Sequence, residues 1–190
     1  MALIFAGVLL WTFVHLLPAA APAARGQLLG KMGEGGYKGL FSVLVLLSVT
    51  LMVVGWRSAT PSIVYSPPYD LRPVAIGLLV LAFILLGAAN QPVRIRRVVR
   101  HPQLSGVALF SFAHLLANGD SRSVVLFGGL LIWALLEMPL ISRREGVWQK
   151  PEVKGWGREF AGVVVALLIM LALAWAHPWI AGVPVAMPSG

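Results

Sequence analysis

The chain contains no cysteine in 190 residues. That excludes disulfides, thiolate nucleophiles and cysteine-based metal sites. Charge is also scarce, at 12% of residues, where a soluble domain carries about a quarter. No HExxH motif, no Ser–His–acid set and no glycine-rich phosphate loop after a strand is present. Carboxylates are lacking near the histidines, so non-haem metal chemistry has little support. The net charge is +8, yet no Arg/Lys stretch is interleaved with aromatics in a soluble setting, which argues against nucleic acid. There is no internal repeat and no low-complexity region beyond PAAAPAA at 18–24.

What the chain does have is apolar side chains, 58% of all residues. This is the composition of an integral membrane protein, and the length suits a single domain over 1–190. The opening, MALIFAGVLLWTFVHLLPAAAPA, lacks a positively charged n-region and is followed by five more apolar runs. It reads as a retained first membrane helix and not as a signal peptide. The candidate spans are residues 2–17, 39–56, 73–89, 103–117, 123–141 and 160–177. A span takes about 17–25 apolar residues, and the fourth run is short of that. It is expected to form a helical hairpin with the fifth through Asn118-Gly119-Asp120, with Asp120 or Ser121 capping the next helix. The expected fold is all-α, a polytopic transmembrane bundle of about six helices.

The basic residues set the orientation. Arg25, Lys31 and Lys38, then Arg94, Arg96, Arg97 and Arg100, then Arg143, Arg144, Lys150, Lys154 and Arg158 fill the first, third and fifth loops. The second and fourth loops hold only Arg57, Arg72 and Arg122. The positive-inside rule puts the odd loops in the cytoplasm and both termini outside. Trp56, Tyr65, Tyr69, Trp175 and Trp179 then fall near the outer interface, as an aromatic belt should.

Two of the four histidines, His15 in FVHLLPA and His114 in FAHLLANGD, lie inside apolar runs. Ionisable groups within a membrane are functional candidates. An interhelical hydrogen bond, or a reach toward the interface, accounts for them. So does haem ligation, because a neutral imidazole nitrogen is a usual axial ligand of haem iron and helix bundles hold haem between their helices. Rise per residue places the two imidazoles about 10–15 Å apart in depth if the fourth helix reaches the outer surface. His101 and His177 each precede proline, in RHPQLSG and AHPWIAG, and so mark the start of the fourth helix and the exit of the sixth. His101 with Arg97, Arg100 and their neighbours anchors the interface or forms an anion site at a helix start, for a haem propionate or a lipid phosphate. Glu137, near the end of the fifth run, is expected to pair with Arg143 or Arg144.

The stretches VHLLPAAAPAARGQLLGKMGEGGYKGLFSV, RHPQLSGVALFSFAHLLANGD and HPWIAGVPV run nearly the whole length in order. On these the chain resembles the NnrU family of bacterial inner-membrane proteins. The resemblance implies a link with denitrification, in nitrite and nitric oxide handling. It also implies kinship with plant 15-cis-zeta-carotene isomerase, a membrane protein that uses haem b. By that likeness His15 and His114 are the iron ligands, and Ser111 stands where the isomerase has a cysteine. A thiolate redox switch is therefore absent, and isomerisation of a lipophilic substrate is an expectation the residue change puts in doubt. RHPxxxG is also similar to a motif of membrane methyltransferases, but the paired glutamates of those enzymes are missing from SRREGVWQKPEV. The expected cofactor is haem b, held by His15, His114, Ser111, His101, Arg97 and Arg100. The expected partners are the lipid bilayer and an anionic lipid or lipophilic small molecule. A non-enzymatic membrane factor for denitrification enzymes, or a methyltransferase relative, is the alternative.

Overall fold

Six helices follow one another in the computed structural model, which describes residues 1–153, 155–183 and 185. They are α1 (Ala2–Ala20), α2 (Pro22–Ser58), α3 (Arg72–Ala88), α4 (Pro102–Ala117), α5 (Ser121–Glu145) and α6 (Trp156–Ala181). Five helical segments are long and apolar enough to cross a membrane, and α4 falls short at 16 residues. That length rises about 24 Å, less than a hydrocarbon core of about 30 Å. Each expected span is helical, and Lys154, one of the basic residues that set the orientation, lies outside the described residues together with Pro184 of HPWIAGVPV.

Two helices run beyond their expected limits. Residues 18–38 were expected to be largely loop, yet α2 begins at Pro22 and departs from helix only at Gly33, with φ 70° and ψ 173°. The stretch PAARGQLLGKM is rich in strong helix formers, which continue the helix to the first residue able to leave it cheaply. Likewise α6 does not end at His177. It continues through Pro178 to Ala181 and stops at Gly182, whose φ of 79° is the left-handed cap that favours glycine. A proline inside a membrane helix is tolerated where neighbours satisfy the freed backbone. His101 is the residue just before α4, and Asp120 caps α5, both as the sequence led us to expect.

The helices pack in the order α2, α1, α5, α4, α3, α6. Small residues let the axes approach. A Cβ on Gly55 of α2 would stand 2.6 Å from the Ile4 backbone nitrogen, and one on Gly106 of α4 would stand 2.9 Å from the Ala82 carbonyl. The two ends of the series meet, since Trp56 Nε1 of α2 donates to the Ala181 carbonyl of α6 at 3.2 Å. The bundle thus has two faces. Met1, the end of α2 and the α4–α5 turn share one, and the arginine-rich connections share the other.

Candidate functional site

His15 and His114 have the same local geometry. Each Nδ1 donates to the backbone carbonyl one turn earlier, Trp11 for His15 and Phe110 for His114, both at 2.8 Å. The local cause is the helix itself, whose i−4 carbonyl lies under the ring. This bond fixes the tautomer and leaves Nε2 unprotonated and free, the form in which imidazole binds a metal. Each ring also lies on the aromatic ring one turn earlier, at 4.1 Å from Trp11 and 4.2 Å from Phe110.

Their surroundings differ. His15 meets Trp133 of α5 at 5.2 Å and Phe41 of α2 at 5.3 Å, both edge-on. Around it three buried polar atoms have no hydrogen-bond partner: the indole nitrogens of Trp11 and Trp133, and Oε2 of Glu137, one turn beyond Trp133. The expected ion pair of Glu137 with Arg143 or Arg144 is not formed among the described residues; Arg144 faces Glu145, and Glu137 is buried. Its place in α5 turns it inward, while the two arginines lie at the helix end. His114 stacks on Phe127 of α5 at 4.2 Å. Ser111, one turn before it, is fully buried, and its hydroxyl also lacks a partner.

The rings therefore do not touch. Trp133 and Phe127 are six residues apart on α5, a rise of about 9 Å, so His15 lies nearer the arginine-rich face and His114 nearer the Met1 face. This depth step is close to the one read from the sequence. His177 of α6 is likewise turned onto a backbone carbonyl. Its Nδ1 donates to the Val183 carbonyl at 2.6 Å, leaving a third free Nε2.

The arginine cluster is largely engaged within the protein. Arg94 bonds Glu159 at 2.6 Å and lies over the Trp156 ring. Arg100 donates to the carbonyls of Ser142 and Gly146 and so closes the C-terminus of α5. His101 shares a 2.7 Å hydrogen bond with the Ser142 hydroxyl, and burial, with the charge of Arg100 adding and that of Glu145 opposing, lowers its pKa below the ordinary value. Arg97 is exposed and makes no hydrogen bond or ion pair among the described residues. Thirteen residues of helix separate His101 from His114, a rise of about 20 Å. Arg97, Arg100 and His101 thus do not share a site with His114 and Ser111.

The Met1 face is closed by a short crossing of chains. Residues 62–65 lie along 119–121, with Val64 and Tyr65 backbone N–H groups donating to Gly119 and Ser121 N–H to Ser62. Tyr65 donates its hydroxyl to the Leu115 carbonyl, one residue past His114. Asp120 accepts from Arg122 and Ser123 backbone N–H and from the Ser123 hydroxyl. Burial works against its carboxylate, but these bonds and the Arg122 charge outweigh it and hold the pKa below the usual range. Sequence reasoning did not find Trp11, Trp133 or Phe127, and it placed Tyr65 in the outer aromatic belt without its bond to the Leu115 carbonyl. One signal was available: WTFVHLL at 11–17 and FSFAHLL at 110–116 match position by position in side-chain type, which marks the aromatic at i−4 as part of each histidine's setting.

Among the described residues, no group of three or more His, Asp or Glu side chains is placed to hold a metal ion. Haem needs only one or two imidazoles, and the donor chemistry present is compatible with it: free Nε2 atoms, aromatic walls and an orphaned Ser111 hydroxyl beside His114. A family model described as NnrU protein matches residues 3–185. No curated protein and no solved structure matches the chain.

Proposed function

The chain belongs to the NnrU family, and from that premise we propose that it is a multi-pass inner-membrane protein that binds haem b between its helices in the service of nitrite and nitric oxide metabolism. The observation that carries the haem reading is the free Nε2 of His114, oriented by the Phe110 carbonyl and set beside a buried hydroxyl with no partner. His114 would hold the iron. Ser111 would donate a hydrogen bond near it without ligating, and Phe127 would wall the site. His15, with the same free nitrogen, would serve as the second imidazole by closing the depth step of about 9 Å between the two rings. The bound haem would supply one-electron chemistry. An isomerase-like reaction on a lipophilic substrate would use the same site, without the thiol that Ser111 replaces. The partition of basic residues supports both termini lying outside.

The test is an absorption spectrum of the detergent-purified protein, expressed with ample haem, with and without dithionite. A Soret band that shifts on reduction is expected. A protein without a Soret band under those conditions overturns the haem reading and leaves the membrane factor for denitrification enzymes and the methyltransferase relative.

A further inference from the structure

The break at Gly33 has a structural product. Residues 22–32 and the long remainder of α2 are two arms that meet at the break, and the end of α1 closes the space between them. The result is a cavity of about 400 Å³ lined by Phe13 and Leu17 of α1, by Leu28 and Lys31 of the short arm, and by Tyr37 and Phe41 of the long arm. That volume is within the usual range for small-molecule sites, about 300–1,000 Å³. Its walls are almost wholly apolar, and the polar side chains among them are those of Gln27, Lys31 and Tyr37. Lys31 is exposed and has no acidic partner among the described residues, and Arg25 sits 5.5 Å from the Tyr37 ring centre. The nearest acid in sequence, Glu34, is already bonded to Lys38 at 2.7 Å. An apolar slot with an unopposed cationic lip, on the arginine-rich face where a spanning helix enters the membrane, is complementary to an anionic amphiphile.

We propose that this cavity is a binding site for an anionic phospholipid, with an acyl chain against Phe13, Leu28 and Phe41 and the headgroup phosphate at Lys31 and Arg25. This gives the segment GQLLGKMGEGGYKG a purpose. Gly33 supplies the positive φ that folds the short arm over the slot, and the basic residues that precede it, Arg25 and Lys31, supply the charge. Phe41 also touches the His15 ring, so the lipid would border the histidine cage without entering it. Anionic lipid attraction is worth about 1 kcal/mol per Lys or Arg, or about fivefold in binding.

The experiment uses the full chain in mild detergent, mixed with equal amounts of phosphatidylglycerol and phosphatidylcholine of the same chains, with retained lipid counted by native mass spectrometry. Phosphatidylglycerol should be retained preferentially, and Lys31→Gln should cut its retention about fivefold. Leu28→Trp, which fills the slot and keeps the charge, should lower retention of both lipids and serves if the Lys31 variant does not fold. Lys150→Gln, outside the cavity, should change nothing. Equal retention of the two lipids, or an unchanged Lys31→Gln or Leu28→Trp protein, overturns the proposal. Saturating haem b separates it from the haem reading: unaltered phosphatidylglycerol retention supports a lipid site, and displacement of the lipid by haem assigns the slot to the cofactor and overturns it.

Discussion

Two turns of this chain are near copies in sequence and in local geometry, yet they sit in different surroundings. At WTFVHLL and at FSFAHLL the helix fixes the imidazole tautomer, stacks the ring on its i−4 aromatic and frees Nε2. From there they part. His15 is enclosed by Trp133 and Phe41, with two indole nitrogens and a carboxyl oxygen unsatisfied nearby. His114 lies on Phe127, beside one unsatisfied hydroxyl and beneath a hydrogen-bonded closure. Seven residues are enough to make a ligand-ready imidazole, and the neighbouring helices decide what meets it.

The largest effect should come from removing one imidazole at a time. His114→Ala should abolish low-spin haem absorption. His15→Ala should leave a high-spin species, because it removes the second imidazole and not the first. His101→Ala, about 20 Å from His114 along α4, should spare the spectrum. If His15→Ala keeps the wild-type spectrum while His177→Ala loses it, the second ligand lies on α6 and the two turns are not a functional pair. If His15→Ala and His114→Ala both keep it, the histidines are packing groups.

A second contrast is between the two faces. A Cβ on Gly119 would collide with the Tyr65 carbonyl, whereas one on Gly26 would meet nothing within 4 Å. Gly119→Ala should destabilise by about 1–3 kcal/mol, the range for overpacking. Gly26→Ala should be neutral or slightly stabilising, since alanine is the better helix former. Melting temperatures in detergent check both. Equal effects would mean that close contact does not fix the Met1 face, and that His114 is held by its own helix alone.

How much of this could be read beforehand depends on the kind of interaction. Six helices, the α4–α5 hairpin, His101 before α4 and Asp120 as a cap follow from local pattern, because apolar runs, prolines and capping side chains act on their own neighbourhood. The helical course of residues 22–32 was missed because its proline, glycines and charges look like a loop, although only Gly33 leaves the helix. The end of α6 was missed because His177-Pro178 resembled a stop, and the true stop is Gly182. Glu137 was given a surface partner because Arg143 and Arg144 are near it in sequence, while the side of α5 it occupies is set by α1 and α4. The histidine cages join residues from α1, α2, α4 and α5, and no single stretch encodes such a meeting.

The cage around His15 yields the next prediction. Glu137 is buried with an unsatisfied oxygen, and an unsatisfied buried polar group costs about 1–3 kcal/mol. Glu137→Met should therefore stabilise the protein by roughly that amount, seen as a higher melting temperature. Ser111→Ala, the matching change beside His114, should act in the same direction and more weakly, because a hydroxyl is less costly to bury than a carboxyl. If Glu137→Met raises stability and lowers haem retention, the strain belongs to a working site. Raised stability with unchanged retention would leave His114 as the functional turn.

The smallest effect concerns the cap that closes the Met1 face. Asp120 is the one N-cap whose side chain bonds the backbone among the described helices, through Arg122 and Ser123 N–H. Removing a side-chain cap costs about 1 kcal/mol, so Asp120→Ala should lower stability by about that much at neutral pH. The carboxylate's pKa is held below its ordinary value of 3.8, so its contribution is fully present above that value and is lost as pH falls through the depressed one. Wild type and Asp120→Ala should accordingly differ by a constant amount from pH 7 to about pH 5 and converge only in stronger acid. Melting curves across that range check it. A difference that persists unchanged into strong acid would mean that Asp120 acts through packing against residues 62–65 and not through its charge, and the Met1 face would then be held, like the histidine cages, by shape.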